Sequence, residues 1–379
     1  MSDGTLRVEE LTRAEDLAGL AAEWNGLLAR SDSDQVFLTS EWLTTWWEYF
    51  RGGRELFVLL VRAGARLVGI APWMIEEGGR AGVRYRRIEF LGTGLSDRAD
   101  LILAEPKAGC VEAILRHLAD RSGAWTLADL REWDPTSGNL ALFAGSVGGD
   151  GLDALATADS LCPYIPITSD WESFYETRFG HQTRRSRNKR FRALQKRGRV
   201  EFEDVTDPEE LPEVLRGMAE VEARLAAGGT RSVLGDERTR AFLLDVGRRF
   251  LAKGWLHVAL LKLDGRIVAY HFAFRYGGAY YGYYKAYDPD LAAVSPGTIL
   301  VTDVIRRCFE DGLREFDLLR GEESWKSEWT SSSRRNRRLV LNRADLKSRM
   351  LSYLYKRSRA LAAEPPAAAP AGGEARPSP

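Results

Sequence analysis

The 379-residue sequence has little of several features that mark particular protein classes. Its three cysteines, Cys110, Cys162 and Cys308, are far apart and lack metal-ligand spacing, so they predict no metal site. The four histidines form no ligand motif either. The formal net charge is zero, so the chain has no global field that would recruit nucleic acid or a membrane. An electrostatic partner must therefore be bound by a local patch.

Long hydrophobic runs are also missing. No apolar run approaches the roughly 18 residues that a membrane helix needs, and Met1–Glu10 is polar and acidic rather than a signal peptide. We therefore expect a cytoplasmic protein. The length predicts two domains with a core each, and 44% apolar with 28% charged residues is ordinary for a soluble globular chain.

Two segments of the chain repeat each other at an offset of 200 residues. Residues 56–73 are LFVLLVRAGARLVGIAPW, and residues 256–273 are LHVALLKLDGRIVAYHFA. The identical pairs are Leu56/Leu256, Val58/Val258, Leu60/Leu260, Arg66/Arg266 and Val68/Val268. Each segment is followed by another strand, a loop, a helix and a further strand, which indicates a repeated domain rather than a solenoid unit. We predict one α/β sheet design that occurs twice.

The second copy, Trp255–Gly321, has the clearer pattern. Asp264-Gly265 predicts a two-residue hairpin turn between two strands, and a third strand follows over residues 279–286. Ser295-Pro296-Gly297-Thr298 then predicts the start of a helix, with serine as N-cap and proline at the first helical position. Gly312 ends that helix before a fourth strand, Arg314–Leu319. Backbone N–H groups at such a helix start lie open to an anion.

These motifs resemble a known family. The segments YKAYDPD, SPGT-x-L, GLREFDLLRGEE and W-K before an arginine-rich strand are similar to the second half of the CelD/BcsL-type proteins, which are named for an association with cellulose biosynthesis. That family belongs to the GNAT acyltransferase superfamily. The resemblance covers roughly residues 168–343 and extends more weakly to the first half. It implies an α/β fold with two tandem acyl-CoA N-acyltransferase (GNAT)-like domains.

The expected domains follow from the repeat and the resemblance. We expect a degenerate N-terminal domain over residues 1–162, a C-terminal acyltransferase domain over 163–345, and a helical, then disordered tail over 346–379. The first copy is called degenerate because its helix begins after Glu105, and an acid at that position repels a pyrophosphate.

The resemblance implies acetyl-CoA or another acyl-CoA as co-substrate and no metal. We predict that Ser295, Gly297, Thr298 and Ile299 cradle its pyrophosphate, and that Gly297 lets a phosphate approach without a Cβ. The more common GNAT loop, Q/R-x-x-G-x-G/A, is replaced here by Ser-Pro-Gly-Thr.

The catalytic candidates lie around the fourth strand and on its neighbours. The resemblance draws attention to Asp317, Arg320, Glu322 and Lys326. An aspartate in an apolar strand needs either a partner, such as Arg320, or a functional role. Many GNAT enzymes place a tyrosine near Trp325 to protonate the thiolate. This chain has Trp325 there, so Tyr283 and Tyr284 on the third strand are the substitute candidates for the acid. His271 is a candidate base, although a packed, hydrogen-bonded histidine is the alternative.

A run of nine basic residues with no acid between them spans Arg184–Arg199. Phe191 and Leu194 give it a narrow apolar stripe, which predicts a helix with one buried seam. The run is either a solvated face balanced by nearby acids or a site for a phosphate-rich partner: the coenzyme's 3′-phosphate, a carrier protein, tRNA or an anionic lipid surface.

The sequence thus predicts an acyltransferase, most simply an N-acetyltransferase, that moves an acyl group from acyl-CoA to an amine or hydroxyl acceptor. Its setting would be polysaccharide or cell-envelope biosynthesis, and the acceptor is a small molecule, glycan or lipid. Two alternatives stay open: a Fem-like transferase that uses aminoacyl-tRNA, and a catalytically inactive accessory protein.

Overall fold

The structure is a computed structural model that describes residues 6–80, 83–148, 151–229 and 232–343. The tail expected over residues 346–379 lies outside the described residues. The chain divides into two compact units. Within the described residues, the first unit comprises 6–160 and 335–343, and the second comprises 161–334.

The first unit alternates strands and helices. Its elements are β1 (Leu6–Leu11), α1 (Ala14–Gly19), α2 (Ala21–Leu28), α3 (Ser40–Phe50), β2 (Glu55–Leu56), β3 (Val58–Ala63), β4 (Arg66–Ala71), β5 (Trp73–Arg80), β6 (Val83–Phe90), β7 (Ile102–Leu103), α4 (Lys107–Asp120), β8 (Leu127–Trp133), α5 (Asn139–Ser146) and the first part of β9 (Leu152–Pro166). A sheet of order β1-β3-β4-β7 lies in this unit, together with strands β8-β6-β5-β2. Its core includes Leu59, Val61 and Ile114.

The second unit contains the second copy of the repeat, Trp255–Gly321. Its elements are the end of β9, α6 (Trp171–Arg178), α7 (His181–Gln195), β10 (Val200–Asp204), α8 (Leu211–Ala226), α9 (Glu237–Leu251), β11 (Leu256–Leu263), β12 (Arg266–Tyr276), β13 (Ala279–Tyr287), α10 (Pro296–Glu310), β14 (Glu315–Asp317), α11 (Ser324–Trp329) and the start of β15 (Ser333–Arg343). Its sheet has the order β10-β11-β12-β13-β14-β9. Only the β13–β14 pair among these is parallel.

Helices cover both faces of this sheet. Because side chains alternate along a strand, Ala269, His271 and Ala273 lie on one face of β12 and Tyr270, Phe272 and Phe274 on the other. The first face packs against α10 in a core that includes Ala269, Ala273 and Val304. The second face meets α8 and α9, where the Phe250 and Phe274 rings lie 5.1 Å apart. The mixed α/β fold expected from the sequence is confirmed.

The two repeated hairpins have the same register. Leu59 pairs with Ala71 and Val61 with Gly69 in the first unit, as Ala259 pairs with His271 and Leu261 with Ala269 in the second. In both hairpins the register then shifts by one residue at the same place. The bulged residue is Val68 in the first hairpin and Val268 in the second. The hairpins therefore occupy equivalent positions, as the repeat predicts.

Local sequence explains the hairpin and helix of the second unit. Asp264 and Gly265 have φ of 50° and 78°, the left-handed values that a tight hairpin turn needs. Pro296 opens α10, and Gly312 follows its end with φ of 64°. The fourth strand is shorter than expected, Glu315–Asp317 instead of Arg314–Leu319, because the chain turns at Leu319 with φ of 58°.

Candidate functional site

The strands β13 and β14 part after three residue pairs. Their last pair is Tyr281 with Asp317, whereas β13 continues to Tyr287. Just beyond that pair, β13 carries a bulge: Ala273 pairs with Gly282 and Phe272 with Tyr284, so Tyr283 is the additional residue. The backbone of β13 from Gly282 onward is thus free of β14 along one edge. A ligand can pair with its peptide groups there.

The same part of β13 leads to the start of α10. Ser295 occupies the N-cap position in a left-handed conformation, with φ of 50°, and its side chain makes no capping hydrogen bond. The N–H groups of Gly297 and Thr298 belong to the first helical turn and have no intrahelical acceptor. The N–H of Ile299 is already used, because it donates to the Ser295 carbonyl at 3.1 Å. The expected N–H cradle therefore consists of Gly297 and Thr298.

The structure assigns a different reason to the glycine at position 297. A Cβ built there would lie 3.1 Å from Cδ1 of Tyr287, which is tighter than ordinary packing allows. Gly297 thus accommodates a side chain of its own unit. This contact is a second reason for a glycine at this position, beside the expected approach of a phosphate.

The basic run forms α7 and approaches α10. Arg190 donates a hydrogen bond of 3.0 Å from Nη1 to the Ser295 hydroxyl. Arg187 stacks over the rings of Phe179 and Trp329, at 3.8 and 4.7 Å, and lies 3.5 Å from Glu328. One basic residue therefore serves packing, and another lies at the mouth of the helix.

A groove of about 160 Å³ lies between α7 and α10. Its lining includes the start of α10, the Arg190 side chain and the rings of Phe191 and Phe202. Phe202 is 40% exposed, which is unusual for a large apolar side chain. The groove therefore combines anion donors at one end with flat apolar surface.

The outer face of α7 carries a stripe of exposed cations. Arg185, Lys189, Arg192 and Lys196 follow one another at intervals of four, three and four residues, so they share one helix face. Within the described part of the chain, no ion pair involves these four side chains. Elsewhere in the run, Arg184 and Arg199 pair with Glu176 and Glu201, as a face balanced by nearby acids would.

Asp317 is fully buried and has partners other than the one expected. Its carboxylate accepts a hydrogen bond of 2.8 Å from the Leu319 N–H and lies 3.9 Å from the Arg334 guanidinium. Arg334 also binds Glu315 at 2.5 Å. Asp317 shapes the turn that ends β14.

Lys326 is 2% exposed and serves the same turn. Its ammonium donates to the carbonyls of Leu319 and Arg320 and pairs with Glu323 at 2.9 Å. Asp317, Arg320 and Lys326 are therefore brought together at the loop after β14.

Tyr284 and His271 lie apart from that loop and from each other. The Tyr284 hydroxyl is 3.3 Å from that of Tyr283 on the side of β13 that faces α8. His271 is 1% exposed and lies on the α10 side, where its ring stacks on Tyr280 at 5.6 Å between centroids. The five catalytic candidates thus do not form one cluster.

His271 belongs to a polar chain that the sequence did not reveal. The Tyr280 hydroxyl lies 3.0 Å from Nδ1 of His271 and 2.8 Å from Nδ1 of His257. His257 in turn contacts Asp204, which binds Arg307 at 2.5 Å. Burial lowers the pKa of both histidines and raises that of Tyr280. Only the alternation of β11, β12 and β13 combined with their register would have predicted this chain.

Among the described residues, neither a reactive thiol nor a metal-binding group is found. Burial raises the pKa of Cys110 to about 11 and that of Cys308 to about 12, so both are protonated at neutral pH. No group of three or more histidine, cysteine or acidic side chains is placed to hold a metal in the described part. Likewise, none of its helices is both long and apolar enough to cross a membrane.

Comparison with known proteins finds a family match in the second unit and similar folds among solved structures. Residues 181–327 match the family model of the acetyltransferase (GNAT) domain. The crystal structure of FemX is similar in fold, with a TM-score of 0.60 and 10% identity over 92% of this chain and 99% of that chain. A conserved protein of unknown function from Bacteroides thetaiotaomicron has a TM-score of 0.54 and 12% identity over 89% of this chain and 100% of that one. No curated protein sequence matches the chain.

The match covers α7 to α11 and so includes the parting of β13 and β14, the start of α10 and the turn after Asp317. The fold of both solved structures extends over nearly the whole chain. Residues 181–327 match the acetyltransferase (GNAT) domain, and this match supports an acyltransferase as the enzyme class.

Proposed function

We propose that the second unit transfers an acyl group from acyl-CoA to an amine or hydroxyl acceptor, as a CelD/BcsL-type enzyme of polysaccharide or cell-envelope biosynthesis. The observation that carries the choice of donor is the contact between Arg190 and Ser295 at the mouth of α10. It adds a guanidinium to the two first-turn N–H groups of Gly297 and Thr298. An anion at that point meets a helix dipole, N–H donors and a full positive charge together.

The residues present fit the donor. Gly297, Thr298 and Arg190 would hold the pyrophosphate, with Ser295 fixing the guanidinium. Phe191 and Phe202 offer flat apolar surface for the nucleotide base in the same groove. The groove has two other cations. Arg306 is already neutralised by Asp303 at 2.6 Å and Glu310 at 2.7 Å, and Arg187 lies 3.5 Å from Glu328.

The thioester supplies an activated acyl group when the donor is bound. The peptide groups of β13 at and after Gly282 would orient it, because the pairing with β14 ends at Tyr281. We place Asp317, Arg320 and Lys326 as positioning residues, since the first and third hold the turn that opens the gap between the strands. His271 is the candidate base on the α10 face, and Tyr284 the candidate acid on the other.

A second donor has an observation in its favour. The stripe of Arg185, Lys189, Arg192 and Lys196 suits a polyphosphate such as tRNA, as in the Fem-like alternative. The similarity to FemX is a similarity of fold and does not choose between donors. If the protein bound neither acyl-CoA nor tRNA, the third alternative, a catalytically inactive accessory protein, would be favoured.

Calorimetry with acetyl-CoA tests the proposal. We expect saturable binding at one site per chain, with bulk tRNA at low salt bound more weakly and only through the stripe. Mass spectrometry of ligands that co-purify with the chain provides an independent measurement. Tight tRNA binding without acetyl-CoA binding would replace the proposed donor, and the absence of both would contradict an active enzyme.

A further inference from the structure

Four polar side chains link the interior of the second unit to its surface. They are His271, Tyr280, His257 and Asp204. The hydrogen bonds of Tyr280 join the two histidines, and Nε2 of His257 lies 3.4 Å from Oδ1 of Asp204. The Asp204 side chain is 35% exposed, whereas His271 is buried. The chain therefore leads outward.

The positions of the protons follow from these contacts. His257 is buried and its pKa is lowered, so its neutral ring carries one proton. A bare Nε2 lone pair at 3.4 Å from a carboxylate would be repelled, so the proton of His257 is on Nε2. Nδ1 of His257 must then accept from the Tyr280 hydroxyl. The Tyr280 oxygen, having donated its proton, accepts from Nδ1–H of His271. This leaves Nε2 of His271 without a proton.

That bare nitrogen lies at the parting of the strands. A Cβ placed on Gly282 would be 3.3 Å from Nε2 of His271. Gly282 is the first residue of β13 beyond its last partner on β14. The unprotonated nitrogen is thus next to the backbone where the acyl group would be held.

The fold itself does not require these histidines. In the first unit, the positions equivalent to His257 and His271 are Phe57 and Ala71, and both are buried in an apolar core. The carboxylate has a counterpart, because Glu10 pairs across from Leu59 as Asp204 pairs across from Ala259. The same hairpin is therefore stable without the histidines, and the polar chain is particular to the unit with the acetyltransferase domain.

We propose that Tyr280 and His257 form a proton relay that carries the proton removed from the acceptor by His271 out to Asp204. The inference rests on the proposed function. An N–H or O–H bond of the acceptor breaks and a bond to Nε2 of His271 forms. The Nδ1 proton of His271 passes to the Tyr280 oxygen as the Tyr280 hydroxyl proton passes to Nδ1 of His257. His257 then carries the positive charge beside the Asp204 carboxylate and releases its Nε2 proton to water.

The surrounding charges favour this direction. Burial lowers the pKa of His271 most, and the positive charges of Lys285 and Arg307 lower it further. Each of these effects disfavours a positive charge on His271. Asp204 favours the charged form of His257, while burial, Arg275 and Arg307 oppose it. Burial also raises the pKa of Cys308 near Tyr280, so this thiol stays neutral. A positive charge is thus more stable on His257 than on His271.

Nitrogen NMR of the whole protein labelled in its four histidines tests the relay without any activity assay. In the parent, we expect His271 protonated on Nδ1 and His257 on Nε2. Exchange of the His271 ring proton with water should be at least tenfold slower in His257→Gln, because the outward path is cut. A cluster that is merely structural would loosen in this variant and exchange faster. His117, bound to Glu10 in the first unit, serves as the internal control.

Two results would overturn the relay: a parent His271 protonated on Nε2, or exchange in His257→Gln as fast as in the parent. The parent measurement needs no variant, so a folding failure of His257→Gln leaves the proposal testable. Calorimetry with acetyl-CoA separates this question from the donor. Binding of acetyl-CoA with the wrong tautomer would refute the relay alone, and the expected tautomer without acetyl-CoA binding would refute the donor alone.

Discussion

Arg190 of α7 donates a 3.0 Å hydrogen bond to the hydroxyl of Ser295, the residue that precedes the first turn of α10. The two residues are far apart in the sequence, and their contact joins the basic run to the predicted cradle. Ser295 does not cap the helix with its side chain. Its hydroxyl instead holds a cation over the N–H groups that an anion would meet.

Removal of this cation should weaken donor binding. We expect Arg190→Gln to raise the Kd for acetyl-CoA by about tenfold or more, since hydrogen bonds to charged groups contribute about 1.5–3 kcal/mol. Arg192→Gln is the matched control on the same helix, because Arg192 lies on the exposed stripe. Calorimetry measures both. Equal losses in the two variants would show that only the overall charge of α7 matters.

A negative charge in the first turn should separate binding from folding. Gly297→Asp is unsuitable, because its Cβ would meet Tyr287. Thr298 lines the groove, and Thr298→Asp should abolish acetyl-CoA binding by repulsion while a carboxylate there stabilises the helix by about 0.3–1 kcal/mol. Thr298→Asn keeps the shape without the charge and should bind nearly as the parent does. Retained binding by Thr298→Asp would move the cradle elsewhere.

The first unit contains a carboxyl whose ionisation should be visible in its stability. Burial raises the pKa of Asp100 from 3.8 to about 8. Between these values the folded state holds a proton that the unfolded state has lost. Stability should therefore fall as the pH rises through this window, by up to about 1.4 kcal/mol per pH unit.

Asp100→Asn cannot ionise, so its stability should depend less on pH between pH 5 and 8. The variant retains an oxygen that can accept from Trp133 and Asn139, as Asp100 does at 2.7 and 3.1 Å. Urea unfolding at several pH values measures the slopes, with the exposed Asp120→Asn as control. A parent slope that matches that of Asp100→Asn would mean that Asp100 is ionised when folded.

The turn after β14 should depend on its buried ammonium. Lys326→Met leaves the Glu323 carboxylate without its 2.9 Å partner and two carbonyls without a donor. We expect a loss of about 3–5 kcal/mol in the free energy of unfolding. The double variant Lys326→Met/Glu323→Gln should recover part of this loss, because the unpaired Glu323 carboxylate is removed as well. Strict additivity of the two changes in urea unfolding would contradict the pairing.

Local patterns predicted much of the second unit. Asp264-Gly265 and Ser295-Pro296-Gly297 predicted the hairpin and the start of α10, since turn and cap residues act over a few neighbours. The repeat predicted that residues 56–73 and 256–273 occupy equivalent strands, because a shared apolar pattern fixes the register of a sheet.

The partners of the polar residues could not be predicted in the same way. Asp317 lies 3.9 Å from Arg334 at the start of β15, a partner that the residues around Asp317 in the sequence do not indicate. The bridge from Tyr280 to two histidines depends on which residues of three strands share a face. The sequence separation of two such residues does not indicate that they are in contact.

The matching registers of the two hairpins have a consequence for folding. Strands β3 and β11 belong to different units, yet each has the backbone geometry that the other's partner requires. Tandem domains of this kind can assemble with exchanged strands while both are unfolded. Each hairpin here closes through a two-residue turn, a step of about 1–10 μs, whereas exchange must bring together segments 200 residues apart in the chain. Rapid local closure thus protects the native pairing, and lengthening either turn should favour misassembled chains on refolding.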